Sequence, residues 1–194
     1  MSTSHVTLIG QGGGQERQIV TVDSHDNALV VINEIHANIH RGIMFTASMQ
    51  GPVGSGGVME IILQVGAQEV HASFNGAVSQ NMIAGFYEGV TFSAAGTAIA
   101  SHNRDRESAN TATMVITHTP TLTLDGTQLT DVYIPGGSKS TAGGGQAASF
   151  NEWELSPNTA YLLRISNTIV SPASAGHAGI DIEFYEPNQS PDQP

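Results

Sequence analysis

In the stretch "INEIHANIHRG", residues 32–42, one acid and two histidines (Glu34, His36 and His40) fall close together. Wound as a helix, His36 and His40 would stand one turn apart, the spacing with which a helix offers two nitrogens to zinc. A metalloprotease of the H-E-x-x-H type also needs a glutamate directly after the first histidine, to act as general base. Ala37 fills that place and Glu34 precedes both histidines. Extended as a strand, the same residues put Glu34, His36, Asn38 and His40 on one face and Ile35, Ala37 and Ile39 on the other. The strand suits the β-rich surroundings, so a polar strand is the preferred reading. A metal held by His36 and His40 is the alternative. The other histidines, at 5, 25, 71, 102, 118 and 177, are scattered.

Other chemistry is harder to assemble. "GQGGG" at 10–14 and "GGG" at 143–145 lack the lysine and hydroxyl of a phosphate-binding loop, and no G-x-S-x-G nucleophile elbow is present. Two carboxylate pairs alternate along strand-like segments: Glu152 and Glu154 around Trp153, and Asp181 with Glu183. Each pair would share a strand face, which could serve a glycosidase or a cation, or simply be the wet side of a sheet. "SHNRDRESANT" (101–111) is the most polar stretch and interleaves Arg104 and Arg106 with Asp105 and Glu107. It reads either as a solvated loop with weak internal ion pairs or as a contact loop whose arginines anchor an interface. No complete catalytic constellation emerges, so the chain is expected not to be an enzyme and to need no cofactor.

The elements that must position these residues are strands. Gly is 22 of 194 residues, Ser and Thr are abundant, and no helical period is sustained. Apolar or alternating runs at 19–36, 43–50, 58–66, 70–100 (alternating at Val70, Ala72 and Phe74), 110–124, 151–170 and 178–186 are separated by turn chemistry. "GPVGSGG" (51–57) and the segment after "FYEGVTF" read as loops. "DG" at 125–126 reads as a hairpin turn. The expectation is an all-β chain, a β-sandwich or jelly roll over residues 19–187. It is preceded by an N-terminal arm, 1–18, with a glycine joint at 12–14 and an apolar patch of Val6, Leu8 and Ile9. "PNQSPDQP" closes it as a Pro-rich tail, 188–194. Trp153, Phe150 and Tyr161 are expected to pack inward.

Six basic residues face seventeen acidic ones, a formal net charge of −11, and Lys139 is the only lysine. Such a surface repels phosphates, which argues against nucleic acid and anionic membranes as partners. It suits docking onto a positively charged protein. The absence of cysteine excludes disulfides and thiolate chemistry. The N-terminal residues lack a signal-peptide pattern and no apolar run reaches membrane-span length, so a soluble protein made in the cytoplasm is expected.

The order of "HANIHRGIMFTAS", "FYEGVTFSAAGTAI", "NRDRESANTATMVITHTPTLTLDGT", "NTAYLLRISN" and "IDIEFYEP", spanning residues 32–187, resembles a group of tailed-bacteriophage virion proteins. They are encoded beside the major capsid protein and taken to be head decoration, or cement, proteins. The resemblance implies a non-enzymatic protein on the virion capsid surface, synthesised in the host cytoplasm. Its partners would be the major capsid protein and copies of itself, as trimers at three-fold lattice positions. The arm (Val6, Leu8, Ile9) and the loop with Arg104 and Arg106 are the expected contacts. The competing expectation is a tail or fibre module that binds host-surface carbohydrate through Trp153, Glu152 and Glu154.

Overall fold

The structure, a computed structural model, describes residues 5–7, 19–21, 34–136, 147–168 and 175–187. The chain divides into two compact units, residues 1–37 and 38–194. In the first, β1 (His5–Thr7) and β2 (Ile19–Thr21) pair antiparallel with Val6 opposite Val20. Leu8, Ile9, the glycine joint at 12–14 and the tail 188–194 lie outside the described residues.

The expected polar strand at 34–40 is instead a helix, α1 (Glu34–His40). The alternation E-I-H-A-N-I-H satisfies a period of two, but seven residues are too few to separate it from a helical turn and a half. The deciding signal lies just beyond. Gly42 takes a left-handed φ of 67°. Its N–H donates to the Ile39 carbonyl at 2.8 Å, and the Ile43 N–H donates to the Asn38 carbonyl at 3.1 Å. These paired bonds close a helix C-terminus around a glycine. Glu34 in the first turn and His40 in the last also complement the helix dipole.

From residue 44 onward the described chain is strand and turn. The strands are β3 (Met44–Val53), β4 (Val58–Gln64), β5 (Val70–Val78), β6 (Met82–Glu88), β7 (Thr91–Ala94), β8 (Thr97–Ile99) and β9 (His102–Asn103). They continue with β10 (Val115–His118), β11 (Thr121–Leu124), β12 (Thr127–Ile134), β13 (Ala147–Leu155), β14 (Ala160–Asn167) and β15 (Gly176–Tyr185). A six-stranded sheet runs β12-β6-β14-β4-β10-β8 and a five-stranded sheet β13-β5-β15-β3-β9. From β3 to β6, and again from β12 to β15, the chain changes sheet at each connection. The expectation of an all-β sandwich is borne out. "GPVGSGG" is only partly a loop, since β3 runs through Val53 and the turn is confined to residues 54–57.

Alternation builds the core between the sheets. On β15, Ala178, Ile180, Ile182 and Phe184 are buried while His177 and Asp181 are exposed. Rings stitch the layers: Phe86 of β6 lies 5.1 Å from Phe74, 5.3 Å from Trp153 and 5.5 Å from Tyr161, centroid to centroid. Burying a side chain of this size stabilises the fold by roughly 1.5–3 kcal/mol. Tyr161 is buried with its hydroxyl satisfied, donating to Glu88 Oε1 and accepting the Ser156 N–H, each at 2.9 Å.

The segment from β6 to β12 is one long bent hairpin. Its arms, 82–99 and 115–134, pair antiparallel along most of their length. The hairpin leaves the six-stranded sheet at one edge, as β6 and β12, and rejoins it on the other side of β14 and β4 as β8 and β10. Between these, β7 and β11 form a separate two-stranded ribbon. Phe92 and Leu122 of the ribbon pack on a second small core of Ile62, Val90 and Leu162. Ile62 and Leu162 are paired residues of β4 and β14 whose sequence neighbours Ile61, Leu63, Tyr161 and Leu163 face the main core. The ribbon therefore covers the outer face of the sheet. Two expectations are corrected here: the segment after "FYEGVTF" is strand at 93–94 and 97–99 rather than all loop, and "DG" at 125–126 joins two strands of one arm rather than a hairpin pair. Gly126 (φ 80°) bends the arm, as does Gly89 (φ 72°) on the other.

Candidate functional site

The polar stretch 101–111 lies in the tip of that hairpin, 101–114, whose side chains fold it back on itself. Asn103 is buried on β9. Its amide nitrogen donates to the Gly42 carbonyl at 2.7 Å and reaches Ser108 Oγ and the Asn110 carbonyl at 3.2 Å each. Its Oδ1 accepts the Asp105 N–H at 2.9 Å, and Asp105 Oδ1 accepts the Glu107 N–H at 3.0 Å. These are the local side-chain-to-backbone turns that Asn and Asp favour.

The far end of the tip is fixed by Glu186, 1% exposed. Its carboxylate accepts the Thr113 N–H at 2.9 and 3.1 Å, the Thr113 hydroxyl at 2.9 Å and the Met114 N–H at 2.9 Å. Burying a carboxylate costs several kcal/mol unless donors fill its lone pairs, and these donors do.

The two arginines of the tip differ. Arg104 Nη1 donates to Glu183 Oε1 of β15 at 3.1 Å, both partly exposed, a pair worth about 0.2–1 kcal/mol. Arg106 is exposed, with only a long bond of 3.4 Å from its Nη1 to the Asn103 carbonyl among those resolved. The tip is thus a braced loop that holds out one cation, Arg106. Of the other expected contacts, Val6 lies in β1, while Leu8 and Ile9 are outside the described residues.

His36 and His40 are both exposed on α1. No cluster of three or more His, Asp or Glu side chains able to hold a metal occurs among the described residues. The carboxylate pairs separate in role. Glu183 is engaged by Arg104, whereas Asp181 makes no side-chain hydrogen bond to a described residue. Glu152 Oε1 accepts the Tyr185 hydroxyl at 2.9 Å and lies 2.8 Å from His71 Nδ1, and the His71 and Tyr185 rings stack at 4.6 Å. Glu154 is exposed beside them. Trp153 is half-buried against the main core, as expected, so it is not an exposed aromatic patch for the glutamates beside it.

A third arginine organises the ribbon. Arg164 of β14 grips Asp125 with both terminal nitrogens, at 2.6 and 2.7 Å, and donates from Nε to Glu60 of β4 at 2.8 Å. Its guanidinium also lies 5.4 Å from the Tyr87 ring centre. The Arg164 bonds hold the Asp125 carboxyl below its ordinary range, and the two carboxylates raise Arg164.

Asn103, Glu186 and Arg164 were not singled out from the sequence. Asn103 could have been found from the N-x-D-x-x-S spacing of turn formers. Nothing local marks Glu186 or Arg164, whose partners lie 73 and 39 residues away. In comparison with known proteins, the chain matches no family model and no curated relative.

Proposed function

We propose that this chain is a non-enzymatic virion protein of a tailed bacteriophage. It decorates the capsid exterior and cements the head by bridging major capsid protein subunits. The observation that carries the reading is the ordered series of sequence blocks between residues 32 and 187 that resembles head decoration proteins. The architecture suits the role. The two packed sheets, with the chain changing sheet at each connection from β3 to β6 and from β12 to β15, make a stiff body, and the braced tip at 101–114 presents Arg106 without the entropy cost of ordering a loop on docking. Copies of the chain associate, in threes at three-fold lattice positions, and no nucleic acid or membrane takes part.

The test is co-sedimentation of the purified protein with mature capsids of its own phage that lack it. Saturable binding at a fixed ratio to the major capsid protein is expected. Arg106→Ala should weaken it roughly tenfold, and removal of residues 1–18 should weaken it as well. Arg104→Ala should do less, because its guanidinium is already held by Glu183. Absence of binding, with the protein found in isolated tails, would replace this reading with that of a tail or fibre module.

A further inference from the structure

The outer face of the five-stranded sheet carries a hollow that the decoration role does not use. Three adjacent strands set its rows: Asp181 of β15 stands between Asn75 of β5 and Ser48 of β3, and Gly179 stands between Ala77 and Gln50. The depression over these residues has a volume of about 510 Å³. It adjoins a second of about 280 Å³ that shares Gln50, Ala77 and Gly179 and continues to His177. The first alone falls within the range of small-molecule sites.

Ser48, Gln50, Asn75 and Asp181 make no side-chain hydrogen bond to any described residue, although cross-strand neighbours on one face stand only about 5 Å apart. Elsewhere on the same face His71, Glu152 and Tyr185 satisfy one another and Arg104 satisfies Glu183, while Thr46 and Ser73 beside Glu183 make no side-chain hydrogen bond to a described residue either. Hydrogen-bonding capacity is left open in the hollow and along the row next to it. Gly179 is the second observation. A Cβ there would meet nothing nearer than Gln50 Cβ at 3.7 Å, and its φ is not left-handed. Neither packing nor backbone geometry requires a glycine, which weakens a strand interior. What the missing side chain does is open the floor.

We infer that this hollow binds an uncharged saccharide. Carboxylate, amide and hydroxyl side chains, with donors and acceptors side by side, match the vicinal hydroxyls of a sugar. From Asp181 to His177 the groove runs four residues of strand, about 13 Å, room for about two linked pyranose rings. Among the described residues Asp181 is the one carboxylate of its lining, and the chain carries a net charge of −11, so sialylated or uronic sugars are disfavoured. The inference does not depend on where in a virion the protein sits.

Saturation-transfer NMR and calorimetric titration of the full chain test it, with maltotriose, diacetylchitobiose and mannobiose as neutral sugars and sialyllactose as the acidic control. At least one neutral sugar should bind at concentrations up to about 10 mM. Gly179→Val should weaken it by about tenfold or more while leaving thermal unfolding unchanged or raised, since valine suits a strand and has room. Asp181→Ala should weaken binding without filling the groove. No binding by any neutral sugar, binding by sialyllactose alone, or binding indifferent to Gly179→Val would each overturn the inference.

Discussion

At the scale of single residues, two positions hold the bent hairpin in shape by opposite means. Gly126 does so by lacking a side chain: a Cβ there would lie 2.2 Å from the Glu88 carbonyl oxygen, on a backbone with φ of 80°. Gly126→Ala should therefore lower the stability measured by urea unfolding by more than about 2 kcal/mol. Gly54→Ala, in the β3–β4 turn with open space around it, should be neutral or stabilise slightly. Glu186 acts by what its carboxylate accepts. Glu186→Gln sets an NH₂ donor among N–H and O–H donors, which should cost about 2–3 kcal/mol. Amide exchange across residues 103–114 should then quicken more than exchange in β5 or β15. Uniform quickening through the sandwich would mean that the tip has no local stability of its own.

At the scale of elements, the ribbon of β7 and β11 depends on Arg164. The Asp125 carboxyl is lowered from 3.8, chiefly by its hydrogen bonds to Arg164. A carboxyl that is more acidic folded than unfolded contributes stability that is full above its unfolded pKa and is lost as pH falls through the folded one. The wild-type chain should lose that increment below about pH 4, and Arg164→Met should lack it at every pH, which unfolding midpoints between pH 2 and 7 would reveal. The ribbon also marks how far the sequence could be read. "TFSA" and "TLTL" alternate visibly, and "DG" does announce a left-handed glycine. What sequence alone does not carry is the partner: Thr121 pairs with Ala94, twenty-seven residues away, not with its neighbours across the glycine. The same limit applies to α1, where alternation fitted two structures and only the Gly42 cap chose between them. Of the tip, the arginines and turn formers were readable, whereas the brace from Glu186 was not, because a contact 73 residues distant leaves no local trace.

At the scale of the whole molecule, charge sets the terms of association. A formal net charge of −11 opposes contact between free copies and favours a basic docking surface, so the proposed threefold association would depend on the lattice that gathers the copies. Binding to capsids should weaken as salt rises from about 0.05 to 0.5 M, over which the screening length falls severalfold. Binding insensitive to salt would mean that apolar contacts dominate the docking. The six-stranded sheet has a further consequence, for the order in which the protein can be made. β14 stands between β6 and β4, while the hairpin joins β6 to β10 by passing over their faces. Strand pairs and ribbon together form a ring, and β14 is the segment that closes it. Residues 160–167 leave the ribosome after every other member of that ring. The hairpin, complete by residue 134, must wait with Ile62 and Val90 lacking their Leu162 partner until β14 has been made. Completion of this sheet is thus tied to the synthesis of β14, and a nascent chain stalled before it exposes two unpaired strand edges to its neighbours.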